Sequence, residues 1–147
     1  MDKFKFRQTI AAFTKSMKAG IDFAEKRAST VRWEATLVQF AIAVRFDLEI
    51  VLIDLRTFFL YGELGEGSEQ PPVFMEQPQE WVDPRYPADA YVNRLERSMY
   101  GLPQAPHCAQ QKLKTTLITN KTFTQTAADD CVYVKGKPGE PGYVATG

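Results

Sequence analysis

Residues 47–64, DLEIVLIDLRTFFLYGEL, constrain this chain more than any other stretch. Ile50, Val51, Leu52, Ile53 and Leu55 form a short, partly β-branched apolar run with one carboxylate, Asp54, near its end. A run of this length is too short to demand a helix, so its composition predicts a core strand over 49–55. Strand side chains alternate, which puts Asp54 on the face of Ile50 and Leu52. An acid in that position requires a partner, a metal ion or a solvated edge, because an unpaired charge in an apolar layer is costly. The plainest reading is a strand-end acid turned to water; a metal ligand is the sharper one.

At 147 residues and 44% hydrophobic content the chain is long enough for a real core, and one domain over 1–147 is expected. Lysine plus arginine and aspartate plus glutamate both total 18. A domain gripping a phosphate backbone usually carries a basic excess, so nucleic-acid binding is not favoured, and neutrality suits contact with other protein subunits better. Cys108 and Cys131 lie far apart without CxxC spacing and read as core thiols rather than zinc ligands or a disulfide framework. The longest apolar runs fall short of a membrane span, and the N-terminus lacks the apolar core of a secretory signal. Residues 1–19 are basic and contain Ser and Thr, as an organellar address would, but acidic Asp2 argues for folded structure.

Ser29 or Thr30 is placed to cap a helix reaching about Arg45, with Trp33, Leu37, Phe40, Ala41 and Val44 at helical spacing on one core-facing stripe. Residues 57–61 predict a helical turn ended by Gly62, residues 65–72 a loop, and Pro71-Pro72 extended backbone before a short strand over 73–75. The prolines of 81–87 predict an irregular connection. A strand follows over 90–95, then a Gly/Pro turn leading into a helix over 106–119 with Leu113, Leu117 and Ile118 inward. Strands over 131–134 and 142–145 flank the Gly/Pro-rich hairpin loop 135–141.

Six ordered blocks carry a resemblance. Residues 18–23 (KAGIDF), 47–50 (DLEI), 54–64 (DLRTFFLYGEL), 74–78 (FMEQP), 95–106 (LERSMYGLPQAP) and 129–134 (DDCVYV) resemble successive landmarks of copia-type retrotransposon reverse transcriptases. Six blocks in order at compatible spacing are specific where each alone is weak. The resemblance covers roughly residues 5–147. It implies an α+β fold: a partial fingers/palm unit with a small antiparallel sheet packed against two to three helices.

It also implies site roles. Asp54 matches the first metal-binding aspartate, Phe59 the aromatic under the nucleotide sugar, Gln104 a nucleotide-contacting glutamine, and Arg7 a basic residue on the triphosphate. Residues 4–13 would be the fingers strand bearing Arg7. Nucleotidyl transfer uses two magnesium ions held by several carboxylates. The other two aspartates would follow the strand at 142–146, so the expectation is a portion truncated before that pair. No metal site is then expected in this chain alone, no cofactor is required, and magnesium enters only for an active polymerase.

Departures point the same way. Thr9 stands where the resemblance calls for arginine, and a hydroxyl cannot replace a bidentate guanidinium on phosphate. Phe58 stands where a small alanine would lie beside the triphosphate. Ala109 replaces a tryptophan and His107 an arginine; His107 reads as an ordinary helix-start residue. Asp129-Asp130 precedes its strand instead of following one, and fits a turn or strand-start role. The expectation is a non-catalytic remnant acting as a structural or interaction subunit. The alternatives are an N-terminal fragment of an RNA-directed DNA polymerase or a residual nucleic-acid-binding module.

Overall fold

The computed structural model describes residues 9–10, 17–24, 26–65, 68–136 and 142–146. They fall into two compact units, one built from Met1–Arg27 and Phe59–Ala109, the other from Ala28–Phe58 and Gln110–Gly147. The class is α+β, with helices α1 (Trp33–Phe46) and α2 (Ala105–Thr115) and two small antiparallel sheets.

In the first unit β1 (Phe74–Met75) pairs with β2 (Asn93–Arg94), Phe74 opposite Arg94. The prolines at 71 and 72 hold the backbone extended before β1, and Leu95 N–H donates to the Val73 carbonyl at 2.8 Å to prolong the pairing. Leu64, Val73, Leu95, Leu102, Ala105 and Cys108 form the core, with Ile10, Met17, Met75 and Met99 packed against it. Burying a side chain such as Leu64 or Leu95 contributes roughly 1.5–3 kcal/mol. The turn Phe58–Tyr61 is helical and ends at Gly62, as its sequence predicts.

In the second unit β3 (Thr124–Gln125), β4 (Val132–Lys135) and β5 (Tyr143–Thr146) form a meander in that order. The hairpin of β4 and β5 agrees with the sequence reading; β3 is additional. Its two residues are too few for alternation to reveal. Cys131, Val132 and Tyr133 are buried at the start of β4.

Three expectations need correction. Residues 49–55 form no strand: the segment has no regular secondary structure, and Ile50, Val51, Leu52, Ile53 and Leu55 are exposed, Leu52 at 98%. A strand apolar on both faces is stable only with neighbours at its edges and cover on both sides, and none of β1 to β5 pairs with it. Helix α1 exists, but its apolar stripe faces outward. Trp33, Leu37, Phe40 and Val44 are exposed, whereas Ala35, Thr36 and Gln39 are half-buried and Ala43 is buried. The small face packs inward. The helix also starts later than expected. Arg32, in extended backbone, is the N-cap and makes no side-chain cap, so neither Ser29 nor Thr30 caps the helix. At the far end Asp47 turns into the left-handed region (φ 51°), and Leu48 N–H returns to the Ala43 carbonyl at 2.9 Å. Aspartate tolerates that conformation better than most residues.

Helix α2 follows Gly101, whose φ of 94° and close approach to the Ile10 carbonyl admit no side chain. Its deep side is Ala105, Cys108 and Ala109 rather than the predicted leucines. Leu113 and Leu117 are half-buried, and Ile118 is exposed in the π-helical turn Thr116–Asn120 that ends the helix.

Candidate functional site

Asp54 lies in the second unit on the irregular segment that precedes the turn at Arg56-Thr57, and it is exposed to solvent. The strained backbone nearby is at Thr57 (φ 53°), whose hydroxyl donates to the Arg56 carbonyl at 2.7 Å. Among the described residues no group of three His, Cys, Asp or Glu side chains converges to hold a metal ion. One exposed carboxylate supplies too few oxygen ligands for a pair of magnesium ions, so these residues do not fit a two-metal centre.

Phe59 and Gln104 both belong to the first unit. Phe59 is 37% exposed and meets Tyr100 edge to face, ring centres 6.1 Å apart. Its carbonyl accepts the hydroxyl of buried Ser98, whose N–H donates to the Gly62 carbonyl at 2.8 Å. Gly62 is enforced by this crowding: a methyl there would lie 2.5 Å from the Cys108 Cβ and 2.9 Å from the Ala109 nitrogen, and against the Ser98 hydroxyl. The turn carrying Phe59 is thus locked onto α2 by contact, not by hydrogen bonds alone.

Gln104 has no solvent exposure, and neither its amide oxygen nor its amide nitrogen meets a hydrogen-bond partner among the described residues. Its backbone carbonyl accepts the Cys108 N–H at 3.0 Å and so begins α2. Arg7 lies outside the described residues, as does most of the strand expected over 4–13. Thr9 is exposed, and Ile10 N–H donates to the Tyr100 carbonyl at 2.8 Å. The Nδ1 of His107 bonds the Arg27 carbonyl at 2.9 Å.

A solvent-open polar recess of about 520 Å³ in the same unit is lined by Glu63, Gly65, Arg94, Glu96 and Arg97. Among the described residues its lining carries two guanidinium groups and two carboxylates.

Two side chains organise the second unit. Asp129 accepts the Arg32 N–H and the Cys131 N–H, each at 2.8 Å, and these two bonds, the first the stronger influence, hold its carboxyl below the usual carboxylate range. It joins the start of α1 to the start of β4, the strand-start role its position suggests, while Asp130 is exposed. Gln110 was not foreseen. Its amide oxygen accepts the Ser29 N–H and its amide nitrogen donates to the Ser29 carbonyl, both at 2.8 Å, with a further 3.4 Å contact to the Cys131 sulfur. That clip engages the backbone of Ser29, three residues before the Arg32 N-cap. No local pattern announces such a pairing, since Ser29 and Gln110 stand 81 residues apart.

Residues 1–144 match the family described as "Reverse transcriptase (RNA-dependent DNA polymerase)". The chain belongs to the copia-type reverse transcriptases. It is 32% identical over 135 residues to "Retrovirus-related Pol polyprotein from transposon TNT 1-94" of Nicotiana tabacum, covering 90% of this chain and 9% of that protein. It is 28% and 26% identical, each over 130 residues, to the corresponding polyproteins from transposons RE2 and RE1 of Arabidopsis thaliana, covering 88% of this chain and 8% of each. The chain therefore spans less than a tenth of the length of these curated relatives. No solved structure matches it. A reverse-transcriptase-like portion of a transposon polyprotein accounts for all six sequence blocks, and no helix among the described residues is long and apolar enough to cross a membrane.

Proposed function

We propose that this reverse-transcriptase-like chain acts as a non-catalytic structural or interaction subunit of a larger protein assembly. The observation that carries the reading is the apolar surface of the second unit. Trp33, Leu37, Phe40, Val44 and the whole run 50–53 face solvent, and exposed apolar surface of that extent marks a protein contact. Zero net charge supports a protein partner over a nucleic-acid groove. The burial of Gln104 and the exposure of Asp54 both argue against an assembled nucleotide site.

The test is the native mass of the protein gently purified from its source, with identification of what copurifies. A fixed complement of other polypeptides is the expected result; a free monomer overturns the reading. A second reading, an N-terminal portion of an RNA-directed DNA polymerase, draws on the retention of Asp54, Phe59 and Gln104 in their expected order. Under it, a longer product containing this chain extends a primer on an RNA template with magnesium. Relics Arg7, Phe59 and Gln104 would then contact nucleotide, and Asp54 would be one of several metal ligands.

A further inference from the structure

We propose that the segment 28–32 is a two-point clasp whose opening lets α1 undock as a unit while the β3–β4–β5 meander stays folded. All the groups involved belong to the second unit. Residues 28–31 have no regular secondary structure and make no backbone–backbone hydrogen bond among the described residues. Two side chains take the place of such bonds. The Gln110 amide accepts the Ser29 N–H and donates to the Ser29 carbonyl, both at 2.8 Å, as a neighbouring strand would. The Asp129 carboxylate accepts the Arg32 N–H at 2.8 Å. Arg32 is the joint between clasp and helix, since its carbonyl accepts the Thr36 N–H at 3.1 Å and so begins the first turn of α1.

The two sides of the clasp are unequally held. Asp129 is fixed to the meander: its second carboxylate oxygen accepts the Cys131 N–H at 2.8 Å, and its carbonyl accepts the Thr126 hydroxyl at 2.8 Å and the Val132 N–H at 3.1 Å. Gln110 is fixed in α2, its amide nitrogen 3.4 Å from the sulfur of buried Cys131. Little else holds α1. Its buried residue is Ala43, and none of the other described helices or strands packs along it. Its large side chains Trp33, Leu37, Phe40 and Val44 face solvent and add nothing to the docking. Undocking therefore exposes little apolar surface, so the usual hydrophobic penalty for removing a helix is small. A helix of 14 residues is marginal on its own in water, so α1 loses its amide protection when the clasp opens. The closed clasp keeps the apolar stripe in helical register; the open one dissolves that surface, whether or not a partner uses it.

The experiment is native-state hydrogen exchange on the full chain, read by mass spectrometry at urea concentrations below the unfolding midpoint. In the wild type the amides of 33–46 are expected to exchange faster than those of 132–135 and with a weaker dependence on urea, the mark of partial opening. Gln110→Ala removes both bonds to Ser29 and is expected to speed exchange at 33–46 about tenfold or more, the weak urea dependence being retained. Ser29→Ala is expected to leave that rate unchanged, because the clasp grips backbone groups that alanine also carries. Asp129→Asn breaks the other point and is expected to act in the same direction as Gln110→Ala, so that if one variant fails to fold the other decides. Exchange at 33–46 with the same protection and urea dependence as 132–135, or a rate at 33–46 that the clasp variants leave unchanged, overturns the proposal.

Discussion

Replacing Gln104 with methionine is expected to stabilise the protein. The side chain has 0% exposure, and both ends of its amide lack partners among the described residues. Leaving a buried polar group unpaired costs about 1–3 kcal/mol, while an apolar group of similar shape removes that cost. Methionine keeps the length and nearly the volume of glutamine, so no cavity or clash offsets the gain. The expected stabilisation is about 1–3 kcal/mol. For 147 residues, an unfolding entropy of about 2.1 cal/mol/K per residue converts this to a rise of roughly 3–10 °C in melting temperature. Thermal unfolding followed by circular dichroism, with urea titration for the free energy, reads it directly. Gln104→Ala separates the causes, since the cavity it leaves cancels the polar gain. A lower melting temperature for Gln104→Met would refute the reasoning. It would mean that the amide is bonded in the folded protein, and that its burial is no argument against a nucleotide-facing role.

The other predictions concern glycines, pH and thiols. Gly62→Ala is expected to cost about 1–3 kcal/mol, because the new methyl strikes Ser98, Cys108 and Ala109. Gly20→Ala, with φ 81° but nothing within 4 Å, is expected to cost about 1 kcal/mol from backbone strain alone; equal urea midpoints for the two would refute the steric account. Asp129, its pKa depressed by the N–H groups of Arg32 and Cys131, contributes stability above the unfolded carboxylate value near ~4. That contribution is lost as pH falls through the lower folded value. Urea midpoints from pH 6 to pH 2 should therefore fall in the wild type with a component that Asp129→Asn lacks, the variant being the less stable at neutral pH. Burial pushes the Cys108 thiol up to about 11, and burial, then the nearby Asp129 charge, also raises Cys131. Iodoacetamide at pH 8 is expected to label both far more slowly in native protein than in urea, and equal rates would refute their burial.

The sequence made some of this fold legible and hid the rest for identifiable reasons. Turns written by glycine and proline came out where expected, as at 58–61, 101–104 and the approach to β1, because those residues act on their own backbone. The β4–β5 hairpin and the rough span of α2 were legible from periodicity for the same local reason. Periodicity reports that a face is apolar, however, and not what covers it. Periodicity therefore turns the apolar stripe of α1 inward where the structure turns it outward, and composition predicts a core strand over 49–55 where none forms. The Gln110 clip on Ser29 lay beyond any local rule, since only the tertiary fold brings residues 81 apart together. Of the candidate site residues, the motif blocks supplied Asp54, Phe59 and Gln104 by order alone; the burial of Gln104 depends on packing that order does not encode.

The misread elements are one error, and it has a physical meaning. Both α1 and the segment after it carry sequence fit for a core, and both present it to solvent. Each large apolar side chain left exposed forgoes roughly 1.5–3 kcal/mol of burial, and the small inward face of α1, Ala35, Thr36, Gln39 and Ala43, recovers little of it. A sequence selected to fold alone would place polar residues on these outward positions. Trp33, Leu37, Phe40 and Val44 at helical spacing, followed within ten residues by a run of apolar residues, instead read as core-type sequence, which under the proposed subunit role a partner would cover. Under that proposed role association would complete the folding of the 33–55 region: its local order should rise, and its amide exchange slow, when the surface is covered. Protection at 49–55 that is unchanged between dilute monomer and native complex would show that the exposed core sequence is tolerated and not used.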